Sequence, residues 1–487
     1  MKALKTLAAC ILILSVSNVY AQSVTFDPTF GQDGMTVIPG TSEIHYLDFD
    51  KLGNIIAIGT NDTYSHLTIA KTNADGIFDQ TFGINGVVEF YEYTWSRWAA
   101  FGLKITNENK ILIFGIFVID GSKKPMLLQF NEDGSIDESF GDQGKVILNH
   151  DPLYVESVNI ENDDFMLIGY LIPHTGPCTI SKYSYSGKLD ESFGESGIVY
   201  LTDNQTFYIV PRHIKILRDQ SIFVAGDGGL SYETEVAFCK LSPNGEFVTG
   251  FANNGVWSMD LISGDMFQEY FKNTIEDNDG NLILLGGILQ SYGSFIAKFN
   301  SNGVADSSFG NNTFGQPGFY GIPERYWPAE NILLHEKKYL IGACDRVISI
   351  NSNGTLDTNF NNTGVFIVYE NSTPGDGDYF HDMKLQAPGK LVLVGTSSNF
   401  SIARLNIPPN VSVKPYPYVD NSITIFPNPV KDILYFNTEN RFEIFDILGK
   451  TVLKSEKTIQ SVNVSRLKAG IYFIKFENNQ IKKFIKE

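Results

Sequence analysis

A motif of the form D-x-x-F-G-x-x-G returns at near-regular intervals along this chain, and that periodicity restricts the fold more than any other feature. Clear copies run Asp27–Gly34, Asp79–Gly86, Asp137–Gly144 and Asp190–Gly197, and weaker ones centre on Phe251, Phe309 and Phe360. From Phe30 through Phe82, Phe140, Phe193, Phe251 and Phe309 to Phe360, successive phenylalanines are 52, 58, 53, 58, 58 and 51 residues apart. About fifty residues is the length of one four-stranded propeller blade.

Four short strands are legible in each repeat. The first alternates weakly, as in Ala100–Thr106 or His213–Leu217. The second is strongly apolar and ends in glycine, as in Ile55–Gly59, Ile111–Gly115, Phe165–Gly169, Ile222–Gly226, Leu282–Gly286 and Leu391–Gly395. The third, such as Thr68–Thr72 or Phe295–Phe299, runs into an Asp-Gly or Asn-Gly turn that supplies the positive φ a tight hairpin needs. The fourth follows the F-G-x-x-G turn, as in Val87–Phe90. No amphipathic helical stretch separates these units, so the class is all-β. The seventh repeat stops at Ile407-Pro408-Pro409 after three strands, while the chain opens with the missing piece, Phe26 through Gly34 and a strand Met35–Ile38. The expectation is a seven-bladed β-propeller closed by an N-terminal strand, which leaves no exposed sheet edge at the seam.

Copies such as Asn109–Gly115 with Asp133 through Gly141 resemble the delta-60 repeat of bacterial secreted proteins. The resemblance covers residues 24–407; it implies a propeller-like fold and brings no shared catalytic activity. The copies at Phe251 and Phe360 depart from it, with Ala252 and Asn361 in place of the glycine, and the sixth repeat has almost no loop between its second and third strands.

The two ends carry different information. Residues 1–21 hold Lys2 and Lys5, an apolar run from Leu7 to Val16, and Val19-Tyr20-Ala21, the pattern of a signal peptide cleaved before Gln22. No later segment has the ~18 continuous apolar residues of a membrane helix. Residues 408–420, with Pro408, Pro409, Pro415 and Pro417, read as a stiff linker. Beyond it, Phe426-Pro427-Asn428-Pro429, the turn Asp446 to Gly449-Lys450, the strand around Gly470 and Tyr472, and the basic tail Lys482, Lys483 and Lys486 resemble in order a type A C-terminal sorting domain of the type IX secretion system. That resemblance implies passage through the periplasm, contact with the type IX machinery, and release from or display on a Gram-negative cell. The short strands of residues 421–487 suit a small β-sandwich.

The formal charge of −18 is unevenly spread: the leader contributes +2 and residues 421–487, with 11 basic and 7 acidic side chains, +4, so residues 22–420 carry −24. Such a body repels phosphate backbones, which argues against a nucleic-acid partner. Cys178, Cys239 and Cys344 are far apart and lack metal or disulfide spacing. The recurrent aspartate, at Asp79, Asp137, Asp190, Asp306 and Asp357, stands before a turn and is expected to bond the backbone there rather than a cation. Asp277-Asn278-Asp279-Gly280-Asn281 opens like a calcium loop, but the twelfth position holds Ile288, which cannot ligate. The seven histidines form no H-x-H or H-E-x-x-H pattern, so no metal or cofactor is expected from spacing, and the reading leans away from an enzyme.

The remaining signal is aromatic. The crossovers from each fourth strand to the next first strand carry His45-Tyr46, Tyr91, Tyr93, Trp95, Arg97, Trp98, Tyr154, Tyr208, Phe267, Tyr270, Arg325, Tyr326, Trp327, Tyr379, Phe380 and His381. In a propeller these loops share one face with the loops between second and third strands. Tyr93, Trp95, Arg97, Trp98, Arg325, Tyr326, Trp327 and Tyr379 are therefore the candidate ligand residues of a monomeric, exported binding or adhesion protein, engaging a glycan or a protein. The alternatives are an extracellular hydrolase or lyase with carboxylates and a histidine at the propeller mouth, and a purely structural surface protein.

Overall fold

The computed structural model describes residues 23–61, 66–92, 94–95, 102–119, 121–148, 154–160, 165–171, 178–202, 208–229, 235–261, 269–288, 293–311, 313–322, 329–368, 379–396, 401–407, 423, 425–426, 428–447, 449–477 and 481–487. The leader and the proline-rich linker lie outside that set. Two compact units emerge, Met1–Asn410 and Val411–Glu487.

The first unit is a seven-bladed propeller. Blade 1 is a four-stranded antiparallel sheet of Thr41–Phe49, Ile55–Asn61, Leu67–Thr72 and Val87–Phe90 in that order, and the other blades repeat it. The first strands of the remaining blades are Gly102–Ile105, Tyr154–Asn159, Tyr208–Ile216, Glu269–Glu276, Ala329–His335 and Tyr379–Ala387. These first strands contact one another from blade to blade and so surround the central axis. The apolar second and third strands are buried on both faces because each blade packs against two neighbours, which is why they read as continuous hydrophobic runs rather than alternating ones. In blade 6 the second and third strands are joined by Cys344 and Asp345 alone, with Cys344 at a φ of 52°, as the shortened repeat requires.

Closure follows the sequence. Thr25–Phe26 and Met35–Thr36 both pair with Ile402–Asn406, the third strand of blade 7. Arg404 organises this seam. Its guanidinium donates to Asp27 at 2.7 Å, to Gln386 at 2.9 Å, to Asp75 at 3.2 Å, to Thr29 at 3.3 Å and to the Ala74 carbonyl, and lies 4.8 Å from the Phe30 ring. One buried cation thereby ties the N-terminal segment to blade 7 and to blade 1.

The recurrent aspartate does what its position before a turn predicts, and something more. One oxygen of Asp27, Asp79, Asp137, Asp190 and Asp306 accepts both the N–H and the hydroxyl of the Thr or Ser two residues on. The other oxygen takes a cation. Lys71, Lys182, Lys298 and Arg404 supply it from the third strand. In blades 2 and 6 that third-strand position is Gln129 or Ser349, and the charge comes instead from the start of the second strand, Lys110 or Lys338. Blade 4, with Val248 in place of the aspartate, turns Lys240 onto Asp219. Hydrogen bonds from Ser139 and Lys110 hold the Asp137 carboxyl well below the usual carboxylate range. The calcium-like segment is an ordinary hairpin turn, in which one Asp277 oxygen accepts the N–H groups of Asp279 and Asn281 at 2.9 Å.

Phe30, Phe82, Phe193, Phe251 and Phe309 are fully buried, whereas Phe140 is only half-buried at the edge of its cluster. The residue after each phenylalanine is left-handed. A side chain on Gly141, at φ 56°, would place its Cβ 2.1 Å from the Lys145 carbonyl oxygen, yet Ala252 and Asn361 hold φ 47° and 48° at the same position of blades 4 and 6. Gly141→Ala is expected to destabilise the propeller by about 2 kcal/mol or more, combining left-handed strain with the clash, and Ala252→Gly to change it by less than about 1 kcal/mol. Denaturant midpoints followed by tryptophan fluorescence check both.

Among the described residues no helix is long and apolar enough to cross a membrane. The second unit is one five-stranded sheet in which Ile433–Asp446 pairs with Ile425–Phe426, Thr451–Asn463 and Gly470–Phe476, and the last of these pairs with Ile481–Lys486. Val430 bridges Lys486, so the sheet curls nearly closed around Leu434, Phe436, Phe442, Ile444, Ile474 and Phe484.

Candidate functional site at the channel mouth

Six of the seven innermost strands have their register broken at the same point. The extra residue is His45, Glu156, Arg212, Lys272, Glu330 or His381, each one place before the pairing resumes. The equivalent in blade 2 is Phe101, outside the described residues. A bulge re-aims the side chain it inserts. The residues just before the bulge, such as Ile44, Val155, Phe271 and Ala329, are buried, while the six bulged residues are half-buried or exposed. They sit at or before the middle of each innermost strand.

Around this ring, neighbouring blades pair their bulged residues. Arg212 donates to Glu156 and holds Asp227 bidentately at 2.5 and 3.1 Å. Burial raises the Glu156 carboxyl despite the charge of Arg212. Lys272 and Glu330 are 2.6 Å apart. His45 and His381 stand with ring centroids 4.8 Å apart, and Glu43 lies 3.5 Å from the Nε2 of His45. Burial, with the charge of Lys272 adding, pushes His381 down to about 4, so it is a neutral imidazole at neutral pH. Beneath the ring, buried Asp382 accepts the Leu47 N–H at 3.1 Å and the Asn331 amide at 2.7 Å, fixing blade 7 to blades 1 and 6. The ring thus offers cations, carboxylates and imidazoles in adjacent pairs, a surface suited to polar ligands and, at Glu43, His45 and His381, to metal ligation.

Of the residues singled out by sequence, Tyr93, Arg97, Trp98, Arg325, Tyr326 and Trp327 lie outside the described residues. Trp95 pairs through its backbone with Phe117, and Tyr379 with Thr396 at the start of the innermost strand of blade 7. The other rim aromatics divide. Tyr46 and Tyr208 pack partly against core clusters, whereas Tyr91 is 63% exposed and meets the His66 ring at 4.8 Å. Trp257, away from the rim, stacks on Phe238 in the core. The charged ring itself escaped sequence reading, although aligning the segments around His45, Glu156, Arg212, Lys272, Glu330 and His381 on their second-strand partners puts a polar column there.

In the second unit, Asn428 accepts the Ile485 N–H at 2.8 Å and donates to the Lys483 carbonyl at 3.2 Å, so the F-P-N-P segment is pinned to the last strand. The Asp446 carboxylate accepts the Lys450 N–H at 3.0 Å around Gly449, whose φ is 77°. Tyr472 donates to the Lys468 carbonyl at 2.9 Å and stacks on Phe484. A family model described as the secretion system C-terminal sorting domain matches residues 424–487. These residues are a C-terminal sorting domain. The sorting domain directs the chain through the type IX system to the cell surface or the medium. Residues 108–140 match a second family, a domain of unknown function described as a β-propeller (DUF5122).

No curated protein matches the chain in sequence. Among solved structures, PorZ, a surface component of the type IX secretion system of Porphyromonas gingivalis, is 13% identical with a TM-score of 0.40, over 93% of this chain and 60% of its own. The extracellular domain of a putative one-component system from B. thetaiotaomicron is 11% identical with a TM-score of 0.40, over 94% and 59%. The chain therefore spans about three fifths of the length of either. Hydrazine synthase of Kuenenia stuttgartiensis is 11% identical with a TM-score of 0.45, over 78% and 99%.

Proposed function

We propose that this exported propeller is a binding protein of a Gram-negative cell surface or its surroundings, taking a glycan or a protein segment at the channel mouth and the aromatic loops around it. The observation that supports this reading is the ring of bulged residues. Six innermost strands break their ladder at one level, and the inserted side chains, Glu156, Arg212, Lys272, Glu330, His45 and His381, are all polar. A channel that served only to be filled would carry apolar residues there, because buried charge is costly unless it is paired. Pairs already satisfied among themselves can exchange partners with ligand hydroxyls or amides at little cost, and crossover aromatics such as Trp95 and Trp327 would supply apolar contact for sugar rings or side chains.

Glycan arrays and pull-downs with the full chain test the reading. A retained ligand whose affinity falls about tenfold or more in Arg212→Ala, a loss of about 1.4 kcal/mol, and again in Trp327→Ala, is the expected result. Blank screens, with cell adhesion unchanged by Trp95→Ala and Trp327→Ala, would remove it.

A further inference from the structure

We propose that Glu43, His45 and His381 bind one divalent transition-metal ion at the seam between blades 1 and 7. Among the described residues this is the one grouping of three such side chains whose ligand atoms converge, all within 4.8 Å of one another. Histidine spacing along the chain gives no hint of it, because His45 and His381 come from opposite ends of the ring and meet only through closure. Both are inserted residues at register breaks, Ile44/Tyr46 and Phe380/Asp382, so two independent departures from regular strand geometry aim imidazoles at the same point.

The chemistry fits a borderline metal. Two imidazoles with one carboxylate is a ligand set for zinc, and three protein ligands leave at least one position for water or an external ligand. In a tetrahedron with bonds of about 2.0–2.1 Å the ligand atoms stand roughly 3.4 Å apart, and the Glu43 to His45 separation is 3.5 Å. All three ligand atoms lie within 4.8 Å of one another, with Glu43 buried and both histidines half-buried. Lys272, whose charge reaches His381, is paired with Glu330 at 2.6 Å, and Glu43 supplies a balancing negative charge. A bound ion with an open position would present a Lewis-acid centre between blades 1 and 7. This assignment stands whichever macromolecule the face takes.

Zinc chloride titrated calorimetrically into the chelator-stripped full chain tests it. One equivalent should bind in the micromolar range or tighter and raise the melting temperature, because the ion joins two blades and binds only the folded ring. His45→Ala and His381→Ala should each weaken binding by more than about 100-fold, beyond the loss an outer-shell contact gives, while His66→Ala leaves it unchanged. Cobalt(II) on the wild-type chain gives a reading free of any folding defect in the variants: paramagnetically shifted imidazole protons from two histidines support the site. No stoichiometric uptake by the wild type, no such resonances, or undiminished binding in the doubly substituted chain overturns it.

Discussion

Arg404→Met should lower the stability of the propeller by about 3–5 kcal/mol, the range for removing one partner of a buried ion pair. Methionine replaces the aliphatic stem but none of the donors, leaving the Thr29 hydroxyl, the Ala74 carbonyl and Gln386 without their shared cation. Burial works to raise the Asp27 carboxyl, yet hydrogen bonds from Lys390 and Thr29 and the charge of Arg404 hold it well below the usual carboxylate range. A depressed carboxylate contributes stability that is present above its unfolded pKa of about 4 and is lost as pH falls through its folded one. The gap between wild type and variant is therefore widest above pH ~4 and narrows in stronger acid. All four tryptophans lie in the propeller and none in residues 421–487, so fluorescence during denaturation reports this unit alone. A loss below about 1 kcal/mol, the worth of an exposed pair, would mean that Lys390 suffices to neutralise Asp27.

Deleting residues 424–487 should abolish delivery to the surface or medium while leaving the propeller folded. The propeller is a compact unit with its own core clusters, and its last strand ends at Asn406, well before the deletion. The truncated protein is expected in the periplasmic fraction, with export reduced by an order of magnitude or more and the same denaturation midpoint as wild type. Truncated protein reaching the medium in normal amount would show that another segment carries the address. Unfolded truncated protein would show that the sorting domain also supports the ring.

The seven-fold repeat, the closing strand and the sorting module were legible because each leaves a local mark: Asp and Gly at turns, apolar second strands, a repeat lacking its fourth strand. The expected turn bond of the recurrent aspartate was likewise readable from its place before a turn. The charged ring was not. Each bulge inverts the inward and outward alternation halfway along its strand, so the segments around His45 and Arg212 look weakly patterned when the side chains facing the axis are in fact ordered. Nor was the site at Glu43, His45 and His381 readable, since its members are brought together by ring closure across more than three hundred residues. The shift of the cation from the third strand to the second, from Lys71 to Lys110, was hidden for a similar reason: the two positions are neighbours across a ladder and not along the chain.

Closure also sets an order of events. The Asp27 carboxylate waits for Arg404, 377 residues further on, so the segment made first is paired among the last. Until residues 402–406 arrive, blade 7 lacks its third strand and residues 25–36 have no strand to join. Contacts so distant in sequence form slowly and leave unpaired strands exposed meanwhile. Within about twenty residues of the completing strand the sorting domain begins. The chain thus becomes a closed ring and acquires its export address at almost the same point of its length, so a protein cut short before the ring can shut also lacks the signal that would send it out.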